Sequence, residues 1–146
     1  LDLAIDLQSW ARIPKDLPAS GTVLVVDEAH FAQSLKAQRT HALLRLARHP
    51  WLRAIWLLSG TPMRNGRPIE LYPLLAAIDH PLARDQRAFE QGFCQAHWRE
   101  QGGRQIWDCN GASNLDELRR LISPLILNRY KKSIACLLPR IQLFLA

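Results

Sequence analysis

Thr22-Val23-Leu24-Val25-Val26-Asp27-Glu28-Ala29-His30 is the stretch on which the reading of the chain turns. An unbroken run of β-branched and aliphatic residues gives way to two acids, a small residue and a histidine. Such a run predicts a strand of a parallel sheet, buried on both faces. The acids then stand at its carboxyl end, where open α/β sheets place their ligands. Two adjacent carboxylates at that edge suit a divalent cation and a polarised water, the parts needed to hydrolyse a nucleoside triphosphate. Taken alone, the same residues also fit a strand that runs into a charged turn.

Downstream, Ser34 is placed to cap a helix reaching about His49, which Pro50 ends. Arg39 shares a face with its apolar residues by spacing, so its stem can lie along the core edge. A second apolar run, Ala54-Ile55-Trp56-Leu57-Leu58, stops in Ser59-Gly60-Thr61-Pro62. Strand, helix and strand in this order make a βαβ unit with parallel strands. Parallel pairing puts Asp27-Glu28 and Ser59-Gly60-Thr61 on one sheet edge, so two short signals become one site. Met63 to Pro68 is a basic loop turning at Asn65-Gly66.

The remaining elements are plainer. Leu1 to Leu7 alternates apolar and acidic residues and is compatible with a strand. Helices are expected from about Glu70 to Ile78, starting late or kinked because of Pro73, and from about Asp85 to Trp98 ahead of a Gly102-Gly103 loop. Asn114 with Glu117 has the spacing of a capping box for a further helix.

A length of 146 residues suits one compact domain with its own core, and 48% hydrophobic with 22% charged residues is a globular composition. No apolar run is long enough to span a membrane. Cys94, Cys109 and Cys136 lack paired metal-ligand spacing, so buried thiols in a reducing compartment are expected rather than a disulfide framework or a Cys94–His97–Cys109 metal trio. The formal net charge of +6 is unevenly spread: no acid occurs from Phe31 to Ile69 or from Leu118 to Ala146. Blocks of one sign suit a polyanion such as nucleic acid, although a solvated basic surface has the same composition. The chain opens on Leu1 and closes on an apolar run, which is expected of a piece of a larger protein.

Asp27-Glu28-Ala29-His30 resembles the Walker B motif of superfamily-two helicases, and Ser59-Gly60-Thr61-Pro62 resembles their third motif. Continued through Met63-Arg64-Asn65 and Glu70-Leu71-Tyr72-Pro73-Leu74-Leu75, the pattern is similar to Swi/Snf-type ATPases. Trp107 to Leu118 resembles the annealing-helicase, fork-remodelling branch and its bacterial relatives. Ile126 to Pro139 resembles the crossing into a second motor domain, except that Asn128 stands where the family usually carries the first arginine of a pair. The four matches cover nearly the whole chain in order.

The resemblance implies an α/β fold, a partial RecA-like parallel sheet flanked by helices with a helical extension. Residues 1–80 would be the back half of the first motor domain, 81–138 the extension and crossover, and 139–146 the start of the second domain. It implies ATP and Mg²⁺ as cofactors. Double-stranded or forked DNA is the implied partner, together with an upstream phosphate-loop half and a second RecA-like domain. Asp27 would hold Mg²⁺ through water, Glu28 would polarise the attacking water, and His30 with Ser59, Gly60, Thr61 and Pro62 would link nucleotide to DNA. Arg64, Asn65 and Arg67 would contact DNA phosphates, with Arg129 and Lys131 at the domain linker. No G-x-x-x-x-G-K-[ST] phosphate loop occurs in the sequence, so this chain alone is expected to hydrolyse no ATP. The bacterial side of the resemblance implies a bacterial or phage cytoplasmic setting rather than a nuclear one. Two other readings stand: an RNA helicase or restriction-type translocase of the same superfamily, and a non-catalytic nucleic-acid-binding module derived from a motor.

Overall fold

The computed structural model describes residues 4–63 and 65–127. Contacts divide the chain into two units, Leu1–Leu115 and Asp116–Ala146. In the first unit, strand β1 (Thr22–Val26) leads through a 3-10 turn at Ala29–Ala32 into helix α1 (Gln38–Ala47) and then strand β2 (Leu52–Leu57). The strands pair in parallel, Leu24 opposite Ile55 and Val26 opposite Leu57. The fold is therefore a partial α/β fold, a parallel strand pair with flanking helices, consistent with part of a RecA-like fold.

Among the described residues, only one face of this sheet is covered. Val26 is buried on the inner side, whereas Val23, Val25 and Trp56 on the other are 47%, 52% and 62% exposed. The expectation of a strand buried on both faces is thus corrected: the described residues supply two strands here, and a wider layer is needed to cover the second face. Residues 4–7, expected to be part of a strand, have no regular structure, and Ile5 and Leu7 are exposed with no partner strand among the described residues; residues 1–3 lie outside them.

Helix α1 starts later than expected. Ser34 does not cap it; its Oγ accepts from Lys36 N and its carbonyl from Ala37 N, and these turns hold the chain out of the helix until Gln38. The core gathers Leu43 and Leu46 of α1, Ala29 and Ala32 of the 3-10 turn, and Leu71, Leu74 and Leu75 around helix α2 (Tyr72–Ala77). Pro73 sits in the first turn of α2, where its missing N–H costs nothing, so the late start holds. Helix α3 (Gln86–Phe93) adds Phe89 and Phe93, stacked in series on Tyr72 with centroids 5.2 and 5.3 Å apart.

The helix expected to continue to Trp98 ends at Phe93, with Gln95 in the left-handed region at φ 49°. The chain then forms a hairpin, β3 (His97–Gln101) and β4 (Arg104–Asp108), antiparallel with Gln101 opposite Arg104. Gly102 and Gly103 have φ of 59° and 75°, the two positive values that a two-residue hairpin turn requires. The capping box is also corrected. Asn114 has φ 49° and its amide donates to Gly92 O at 2.8 Å, while Ser113 donates through N to Phe93 O and through Oγ to Gly92 O. These residues satisfy the free carbonyls that end α3 rather than opening the next helix. Helix α4 (Leu115–Ile122), all but its first residue in the second unit, buries Leu118 and Ile122, and an Arg119–Asp116 pair spans one turn at 2.7 Å.

Candidate functional site

Both acids stand at the end of β1, exposed to solvent. Backbone pairing continues past the strands, from Leu58 N to Val26 O and from Ala29 N to Leu58 O, each at 2.8 Å. This pins the residue after the acids to the residue before Ser59. Asp27 Oδ1 accepts the Glu28 N–H at 2.8 Å, and its carbonyl accepts Trp10 Nε1 at 2.9 Å. Glu28 itself is left-handed, φ 50° and ψ 46°. That conformation costs a non-glycine residue roughly 1–2 kcal/mol. It turns the chain sharply out of the strand and brings His30 back beside Glu28, with Nδ1 3.0 Å from Oε2. The approach lacks hydrogen-bond alignment, so it is an ionic contact when the ring is protonated.

On the neighbouring strand end, Ser59 Oγ accepts the Thr61 N–H at 3.1 Å. No hydrogen bond joins His30 to Ser59 or Thr61 among the described residues. The link between the two segments is Gln33, whose amide donates to Thr61 O at 3.1 Å and Pro62 O at 2.6 Å. Neither Gln33 nor Trp10 was legible as a site residue, because both act on backbone atoms distant in sequence. The expected DNA-facing residues divide. Asn65 is held by Glu70 through both its backbone and side-chain nitrogens. Arg67 is exposed, and its one side-chain hydrogen bond among the described residues is a long 3.5 Å contact to Asn110 Oδ1. Arg64, Arg129 and Lys131 lie outside the described residues.

Behind this edge, Trp107 of β4 donates Nε1 to Glu90 Oε2 at 2.7 Å, and Gln86 donates to Glu90 Oε1 at 2.7 Å. Glu90 is 5% exposed with both oxygens used, so its burial is compensated. Arg87 lies 3.5 Å over the Trp107 ring. Asp108 accepts Asn110 N and Nδ2, which hold its carboxyl below the usual range, with Arg99 assisting at 3.1 Å. As metal ligands, Asp27 offers one uncommitted oxygen, and no cluster of three His, Cys, Asp or Glu capable of holding an ion occurs among the described residues. One exposed carboxylate fits a hydrated Mg²⁺ whose other ligands are water and phosphate.

A parallel strand pair with acids at its carboxyl edge and a second polar strand end beside them is the arrangement found in part of a helicase-like α/β domain. The chain matches the SNF2-related domain over residues 12–144 and belongs to that family. It is similar to the DNA annealing helicase and endonuclease ZRANB3 of Bos taurus and of Homo sapiens, 39% identical over 117 residues in each case, 80% of this chain and 11% of the relative. It is also similar to a SWI/SNF-related, matrix-associated, actin-dependent regulator of chromatin, subfamily A-like protein 1, of Xenopus laevis, 33% identical over 129 residues, 88% of this chain and 13% of the relative. The family placement is therefore SNF2-type, related to the annealing-helicase branch, whose members are ATPases. The chain spans about a tenth of the length of these relatives. No solved structure matches it significantly. These relatives are animal proteins, one of them named as a regulator of chromatin, and this overturns the expected bacterial or phage cytoplasmic setting.

Proposed function

We propose that this chain is the Walker B and third-motif portion of an ATP-driven motor that moves along double-stranded or forked DNA. The observation that carries the reading is the continued backbone pairing from Val26 through Leu58 to Ala29, which holds the acidic and Ser59–Thr61 edges side by side. In this reading Asp27 holds a hydrated Mg²⁺, which supplies charge neutralisation at nucleotide phosphates when bound. Glu28, about half exposed and turned outward, orients and polarises a water. His30 steadies the Glu28 carboxylate. Ser59 and Gln33 fix the backbone of Thr61 and Pro62, from which the basic loop departs.

Arg67 meets DNA phosphates, contacts that position without reading sequence; Arg64 and Asn65 belong to the same loop, although Asn65's donors are spent on Glu70. Arg129 and Lys131 serve the linker. Residues 1–80 belong to the first motor domain, 81–138 to the extension and 139–146 to the second domain. The sequence lacks a phosphate loop, so the missing half of the nucleotide site comes from elsewhere, and the 146-residue chain alone turns over no ATP.

The test is nucleic-acid stimulation of ATPase activity in a polypeptide joining this chain to a phosphate-loop segment and a second motor domain. Duplex DNA should stimulate turnover and RNA should not. Stimulation by RNA alone, or magnesium-dependent turnover by the isolated chain, contradicts the reading.

A further inference from the structure

A groove of about 500 Å³ opens between the 3-10 turn, the loop before α2, and the end of β4. Three cations line it, Lys36, Arg39 and Arg67. None is ion-paired among the described residues. Outside those residues the sequence holds a single acid, Asp2. The carboxylates that do line the groove are already used: Glu70 by Asn65, and Glu90 by Gln86 and Trp107. Those donors are neutral and leave both carboxylates charged, so the three cations outnumber the acids of the groove by one and none of them is held in an ion pair.

Arg39 is also pre-set, because its Nε donates to Phe31 O and its guanidinium lies 5.6 Å over the Phe31 ring. Its terminal nitrogens have no partner among the described residues. The remaining wall mixes polar residues, Gln33, Ser34 and Asn110 among them, with Ile69 and two aromatics, Phe31 at 40% exposed and Trp107 fixed in place by Glu90.

We propose that this groove binds an unpaired nucleic-acid strand, its phosphates on Lys36, Arg39 and Arg67 and its bases against Phe31 and Trp107. The inference rests on the nucleic-acid partner of the function proposed above and adds a second strand state to it. Duplex DNA presents phosphates to a surface but keeps its bases stacked inside, so only an unpaired strand can also set bases against Phe31 and Trp107. Cations that track a backbone beside aromatic side chains are the recipe for single-strand binding.

The test uses the 146-residue chain and a fluorescent oligonucleotide, single-stranded or annealed to its complement, read by anisotropy across a salt series. The single strand should bind more tightly than the duplex of equal length. The double variant Lys36→Gln/Arg39→Gln should weaken single-strand binding and lower the slope of log affinity against log salt by about 1.4, at about 0.7 per lost phosphate contact. Lys36→Gln alone should lower it by about half as much. Lys36 is exposed and makes no side-chain hydrogen bond, so this variant keeps the fold and secures the result if the Arg39 change does not. Arg39→Lys should keep the slope. Equal or tighter duplex binding overturns the groove assignment, as does a slope that Lys36→Gln leaves unchanged. Duplex binding that survives these variants leaves the motor reading standing, so the two proposals fail separately.

Discussion

At the scale of single residues, the edge depends on backbone atoms held by side chains. Gln33 closes two consecutive carbonyls, Thr61 O and Pro62 O, with one amide. Replacing it with alanine leaves both without that partner and frees the third-motif loop from the acid-bearing turn. In the joined polypeptide, Gln33→Ala should reduce DNA stimulation of ATPase activity while leaving the DNA-free rate near wild type. A proportional loss of both rates would reduce Gln33 to a general stabiliser.

Cys94 offers a second residue-scale test. Fully buried, its thiol is pushed up to about 12 by desolvation, with Cys109 and Glu90 adding to the shift. The unfolded thiol titrates near about 8.5, so the neutral form's contribution to stability is complete below that pH and is lost as pH rises toward about 12. The melting temperature should therefore fall more steeply between about pH 9 and 11 in wild type than in Cys94→Ala. Parallel curves would show that the thiol is not buried in this way.

Among the elements, β1, α1 and β2 were legible because their signals are local: apolar runs of strand length, a proline stop and polar ends. The hairpin was not. His97-Trp98-Arg99-Glu100-Gln101 is polar enough to extend a helix, and its strand character comes from pairing Trp98 with Trp107. The Gly102-Gly103 pair was the available signal, since a two-residue Gly-Gly connection is a hairpin turn. Asn114 misled for a related reason: its partner is a carbonyl 22 residues upstream, not the N–H groups ahead of it. The same closing segment makes a specific prediction. A Cβ at Gly111 would stand 2.8 Å from Gln95 Cβ and 3.0 Å from the Cys94 carbonyl, whereas one at Gly92 meets nothing within 4 Å. Gly111→Ala should cost about 1–3 kcal/mol in denaturant unfolding, as overpacking does, and Gly92→Ala should cost nothing. Equal effects at the two positions would place the strain elsewhere.

For the whole molecule, the family and the α/β class were readable because four motifs occur in order, each weak alone. The one-sided burial of the parallel pair was not, since a run such as Val23 to Val26 states that a strand is apolar and not how many layers cover it. Its Val23–Val25–Trp56 face is left uncovered among the described residues. The central claim is that Asp27 and Glu28 are the magnesium- and water-handling half of an ATPase. It is tested most directly by Glu28→Gln in the polypeptide that restores the phosphate loop and second domain, measured as ATP turnover alongside nucleotide binding. Turnover should fall by about 10²-fold or more, the scale of a lost general base, with nucleotide binding retained. Turnover within a few-fold of wild type would contradict the account.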